Sequence, residues 1–229
     1  MCRGRPGASL PGSLPPPVQG NRLKIHDFPL APNPRKVRTY LAEKGIEVEF
    51  QLVNLLAGEQ KSAAFLAMNP FGNVPVLELD DGTTLTESLA IIEYFEELHP
   101  EPPMWGSTPV ERARARRLER IADIGVLGRV GRYVHATKSP LPGVPPRPGL
   151  AALMREELPL PLRVLDEEVA GRPFLAGDRP TVGDCTLFAA VAFAGFADLD
   201  LLEGFAELSR WHADFGKRPS TGVVFPAPG

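Results

Sequence analysis

In the run TLTESLAIIEYFEE, Glu87 places an acid directly before Ser88, a serine that opens a helical pattern. A serine at a helix start offers its hydroxyl and its backbone N–H to an anion, and the helix macrodipole favours negative charge there. Glu87 would complement an ammonium. The pair therefore suits a ligand carrying ammonium and carboxylate on one carbon; the plainer reading is a serine N-cap with an unrelated acid beside it. A second signal lies upstream in NPFGNVPVLEL, where Pro75 stands at the mouth of a strand. Proline cannot donate to a β-ladder, so it is confined to edges, first positions and bulges. Other chemistries find little support. His26, His99 and His212 have no metal-ligand spacing, and no metal is expected. There is no C-x-x-C pair; Cys185 lies in an apolar helical run, and Cys2 near the chain start. A reducing, cytoplasmic setting fits this cysteine usage.

The elements that must position these residues follow from the pattern. LKIHDF alternates as a strand, and PRKVRTYLAEKG follows as a helix, with Pro34 in its first turn and Gly45 at its C-cap. VEFQLV and SAAFLAMN repeat the strand and helix. VPVLEL, Asp81-Gly82 and TTLT make a hairpin through a tight two-residue turn, and a helix spans 88–98. The order β-α-β-α-β-β-α is a small mixed sheet flanked by helices. Pro100, Pro102 and Pro103 then break the pattern. Beyond them, Thr108-Pro109 starts a long helix, 150–169 suggests another interrupted by Pro159 and Pro161, and Phe205, Leu208 and Trp211 keep helical spacing. The expected organisation is a disordered Pro/Gly-rich tail over 1–21, an α/β domain over 22–99, a linker over 100–108 and an all-α domain over 109–229. A net charge of −3 with scattered basic residues gives no footprint for nucleic acid, and the apolar run 185–197 is too short to span a membrane.

The N-P-x-G-x-V-P-V-L arrangement, the D-G hairpin, TES opening a helix and FLAGDRPTVGD further on resemble, in that order, the soluble glutathione transferase superfamily over 23–220. The resemblance implies a thioredoxin-like N-terminal domain, an all-α C-terminal domain, a cleft between them and a homodimer. It implies a cis bond before Pro75 that turns the Val74 N–H and C=O toward glutathione, as one strand meets another; a trans proline at an ordinary strand start is the alternative. Glu87 and Ser88 would then hold the γ-glutamyl group. Gln60 and Lys61 occupy positions that in the superfamily serve the glycyl carboxylate, and Arg35 and Lys36 stand near the site or on an exposed face. The implied reaction is attack of glutathione thiolate on a small hydrophobic electrophile. A glutathione-binding carrier, or a glutathione-dependent isomerase or peroxidase, are the alternatives.

The sequence departs from the family at the thiol. The serine or cysteine position of relatives falls on Ala31 in PLAPNPRKVR, and alanine can neither donate a hydrogen bond nor form a mixed disulfide. Half-ionising a thiol of pKa about 8.5 near neutrality requires about 2 kcal/mol of preferential stabilisation. A helix start typically gives about 0.3 to 1 kcal/mol and up to about 2 in partly buried geometry, which could just suffice, and a charge-assisted donor would add about 1.5 to 3. A backbone N–H, Asn33 or an ordered water could replace the absent hydroxyl; Asn33 is the local candidate, with an ordinary turn role as the competing reading. Relatives that also lack the usual residue rely on water held by groups of the helical half; by resemblance His135 with Ser139 or Thr137 could hold it here, and Tyr133 could instead line the electrophile pocket. Thr181 and Asp184 read as an architectural capping box, not a catalytic pair.

Overall fold

A computed structural model describes residues 23–222, so the expected tail over 1–21 lies outside the described residues. The first half runs β1 (Lys24–Asp27), α1 (Pro32–Lys44), β2 (Glu49–Leu52), a 3-10 turn (Glu59–Lys61), α2 (Ala63–Met68), β3 (Val76–Glu78), β4 (Thr84–Thr86) and α3 (Ser88–Leu98). The sheet has the order β2-β1-β3-β4, with β1 parallel to β2 and antiparallel to β3. α1 stops where Gly45 takes φ +66 and its N–H bonds the Ala42 carbonyl, a conformation that costs a residue with a side chain more than glycine.

The hairpin differs in detail from the two-residue turn expected. Glu78 pairs with Thr84, the Leu79 N–H bonds Thr83 O at 2.8 Å, and the connection is therefore Asp80-Asp81-Gly82. Gly82 supplies the left-handed position at φ +82, and the Asp81 carboxylate accepts from the Thr83 N–H at 2.8 Å.

The second half is helical: α4 (Pro109–Arg120), a π-helical turn (Ile121–Leu127), α5 (Gly128–Thr137), α6 (Pro148–Glu157), α7 (Pro159–Val169), α8 (Val182–Ala194), a 3-10 turn (Gly195–Ala197), α9 (Ala206–Phe215) and a final 3-10 turn (Pro219–Gly222). The long helix expected from Thr108 is one helical run carrying a π segment. The helix expected over 150–169 splits at Leu158, because Pro159 and Pro161 lack the N–H groups that α6 would need to continue; in the first turn of α7 those N–H groups have no intrahelical partner anyway. No described helix is long and apolar enough to cross a membrane.

The halves share a core. Met104 and Trp105, within the expected linker, are buried with Ile91, Phe95 and α8 residues Val182 and Cys185. α8 is apolar on nearly every face and is buried accordingly, at the centre of the helical half. Lys36 is not on an exposed face: its side chain is fully buried, with Nζ 2.8 Å from Glu119 of α4.

Candidate functional site

A cavity of about 500 Å³ opens between the sheet domain and the helices. Ala31, Asn33, Gln60, Val74, Glu87 and Ser88 line one wall; Asp123, Arg132, His135 and Phe193 are on the other. The wall from the sheet domain is built by three chain turns. The Val74–Pro75 bond is cis, and Val74 lies just outside β3, with its N–H and C=O bonded to no other described residue. Next to it, α3 begins at Ser88 immediately after Glu87, whose φ of +69 and ψ of +118 are unusual for a residue with a side chain. Such strain persists where the surroundings over-determine it, and it concentrates at ligand clamps. Ser88 is buried and its hydroxyl donates to Asn33 Oδ1 at 3.2 Å, which joins the starts of α3 and α1. Glu87 is exposed and has no ion pair with a described residue.

The start of α1 is poor in donors. Ala31 occupies the N-cap without a side-chain bond, and Pro32 and Pro34 have no N–H. The Arg35 N–H is used on Ala31 O at 3.1 Å, so Asn33 provides the one backbone N–H of this first turn left for a ligand.

Gln60 and Lys61 part company. On a 3-10 turn successive side chains diverge by about 120°. Gln60 is buried against the cavity with Oε1 lacking a hydrogen-bond partner among described residues; Lys61 is exposed and outside the cavity lining. Of the two, only Gln60 lines the cavity. Gly72 completes this corner, since a Cβ there would meet Gln60 O at 3.0 Å and φ is +62.

From the helical half, His135 faces the cavity and Tyr133 does not line it. His135 Nδ1 lies 2.9 Å from Ser139 Oγ, and Ser139 Oγ accepts from the Leu141 N–H at 3.2 Å. Burial pulls the His135 pKa below the ordinary histidine value, so its imidazole is neutral at neutral pH. Sequence reasoning missed Asp123, Arg132 and Arg147. A signal existed: Gly128, Gly131, Arg132 and His135 follow i, i+3, i+4, i+7, and all four line the cavity. Asp123 is hidden by the π segment, which shifts the helical register, and Arg147 by the proline-rich loop before α6.

A mixed four-stranded sheet with a cis-proline edge, packed on an all-helical half across a common cleft, is the architecture of a glutathione transferase. Residues 25–103 match the family described as "Glutathione S-transferase, N-terminal domain", and 142–219 match "Glutathione S-transferase, C-terminal domain". The chain is 35% identical over 207 residues to glutathione S-transferase 2 of Saccharomyces cerevisiae, covering 87% of this chain and 88% of that protein. It is 39% identical over 115 residues to maleylacetoacetate isomerase of Pseudomonas aeruginosa, about half of each chain (49% and 50%). The crystal structure of a glutathione S-transferase domain-containing protein from Marinobacter aquaeolei superposes with a TM-score of 0.80 at 38% identity, covering 86% of this chain and 99% of that one. The chain belongs to the glutathione S-transferase family.

Proposed function

We propose that the cavity holds glutathione and directs its thiolate onto a small hydrophobic electrophile. The observation that carries this reading is the unpaired main chain of Val74, beside the buried Ser88, in one cavity. In this reading the peptide backbone of glutathione pairs with Val74, and the γ-glutamyl carboxylate takes the Ser88 hydroxyl and N–H at the α3 start. Glu87, which has no ion pair with a described residue, receives the ammonium. The glycyl end lies toward Gln60, whose Oε1, unbonded to any described residue, can accept the N–H of the tripeptide's glycyl residue.

The thiol lies over the α1 start. With no hydroxyl at Ala31, the Asn33 N–H and the neutral imidazole of His135 are the groups positioned to stabilise the thiolate, Asn33 being itself fixed by Ser88. The sulfur forms a bond to the electrophilic carbon, the leaving group departs with its electron pair, and the thiol proton passes to solvent. Leu127, Leu141, Val144 and Phe193 give the electrophile an apolar wall. The exposed Phe71, at 80% accessibility, supports a homodimer that would cover it.

Glutathione-dependent isomerisation is a second reading, favoured by the likeness to the maleylacetoacetate isomerase named above. Calorimetric titration with glutathione, followed by thiol titration of the complex and turnover of an activated aryl halide, tests the proposal. Saturable binding, a lowered thiol pKa and chloride release are expected. Binding with an unshifted thiol and no turnover would leave a carrier; no binding would overturn the reading.

A further inference from the structure

The cavity wall is polarised. Its acidic lining residues, Glu87 and Asp123, stand at the α3 and π-segment end. Its arginines, Arg132 and Arg147, stand at the other. Arg132 lies nine positions beyond Asp123 along the helical run, or about 13 Å at 1.5 Å per residue. Arg147 reaches the same end, because its N–H bonds Ala136 O, near the C-terminus of α5, at 2.7 Å. Asp123 is already engaged by Arg120 at 2.9 Å and by Lys36 at 3.4 Å. Arg132 and Arg147 have no side-chain hydrogen bond or ion pair with a described residue. Both are exposed, at the rim of the cavity, and the neutral His135 stands at the same end, one turn beyond Arg132 on α5. Beside them, Gly131 leaves space: a Cβ there would meet nothing within 4 Å.

We propose that this end of the cleft selects electrophiles bearing an anionic group, a carboxylate in the first instance, which Arg132 and Arg147 hold while the apolar wall packs the carbon skeleton. Guanidinium groups match a carboxylate through paired N–H donors, and a cavity with like-signed charges at one end orients a charged substrate before reaction. The proposal rests on glutathione occupying the sheet side. The sulfur would then lie between the two poles, with the anionic group directed away from Glu87.

Two S-aryl glutathione conjugates that differ only in a ring carboxylate or carboxamide test this by calorimetry, without requiring turnover. The wild-type protein should bind the carboxylate about tenfold more tightly than the amide, a preference that shrinks as salt is raised. In Arg132→Gln/Arg147→Gln the carboxylate conjugate should lose about tenfold in affinity and the amide less than about twofold. Circular dichroism and urea unfolding establish that the variant is folded. Equal binding of both conjugates by the wild type, or a preference that survives the double substitution, overturns the proposal. So does an equal loss for unmodified glutathione, since the arginines would then serve its own carboxylates. Failure of unmodified glutathione to bind the wild type is a separate outcome, which defeats the glutathione reading itself and this proposal with it.

Discussion

Lys36 of α1 and Glu119 of α4 form an ion pair of 2.8 Å in which both side chains are almost wholly inaccessible, tying the helix that starts under the cleft to the helical half. Thr186 of α8 joins at 3.4 Å and Asp123 at 3.4 Å from Lys36, whereas Glu119 Oε2 has no hydrogen-bond partner among the described residues and lies 3.7 Å from Arg120. Such a pair need not add net stability, but removing one partner strands a buried charge. Lys36→Met should cost about 3 to 5 kcal/mol. Lys36→Met/Glu119→Leu should regain a large part of it, as read by urea unfolding in a double-mutant cycle. Additive losses would show that the charges do not interact.

Glu87 joins strain to function. A residue held at φ +69 and ψ +118 costs about 1 to 3 kcal/mol, less what glycine would lose through its freer unfolded chain. Glu87→Gly should therefore raise thermal stability by about 1 kcal/mol while weakening glutathione binding, because the carboxylate facing the proposed ammonium is lost. Glu87→Gln should weaken binding without the gain in stability. Calorimetric binding beside thermal melts separates the two effects.

The architecture was legible because its signals are local. Glycine at the end of α1, the prolines before α4 and alternation in the strands each act on the backbone within a few residues. The Glu87-Ser88 junction and Val74-Pro75 were legible for the same reason. Three features were not. Lys61 and Gln60 are adjacent in sequence, and only the turn geometry sends one inward and the other to solvent. The hairpin took a three-residue loop because Gly82, not Asp81, occupies the left-handed position. Asp123 and Arg147 enter the cavity through a π segment and a long loop, whose effect on side-chain direction has no simple sequence period.

His135 and His212 make stability depend on pH in one direction. Burial lowers the pKa of each below the ordinary 6.5. The unfolded chain therefore binds more protons than the native one as pH falls, and the stabilisation present above about pH 6.5 is lost as pH drops through the folded values. Urea midpoints should be flat from neutral to mildly basic pH and fall below that range. His135→Gln/His212→Gln should flatten the decline; an unchanged slope would assign it to the carboxylates.

Asp184 should be among the most sensitive positions in the chain, although the chemistry is structural. Oδ1 accepts from the Leu175 N–H at 3.0 Å and from Trp211 Nε1 at 2.9 Å; Oδ2 accepts from the Thr181 N–H and hydroxyl, both at 2.8 Å. The carboxylate thus caps α8, fixes the loop before it and anchors α9. Asp184→Asn is no conservative change here. An amide NH₂ at Oδ1 would face two donors, Leu175 N–H and Trp211 Nε1–H, and at Oδ2 would face the Thr181 N–H, since the Thr181 hydroxyl can turn to accept. Loss of a helix cap alone costs about 0.5 to 2 kcal/mol. With Leu175 N–H and Trp211 Nε1 also orphaned, each at about 1 to 3 kcal/mol, Asp184→Ala should lose more than the cap value, and Asp184→Asn, which keeps one oxygen, should lose less than Asp184→Ala. Chemical unfolding monitored through Trp211 fluorescence and near-ultraviolet circular dichroism reads the loss. An effect of Asp184→Ala confined to the cap range would mean that Leu175 and Trp211 find other acceptors when the carboxylate is gone.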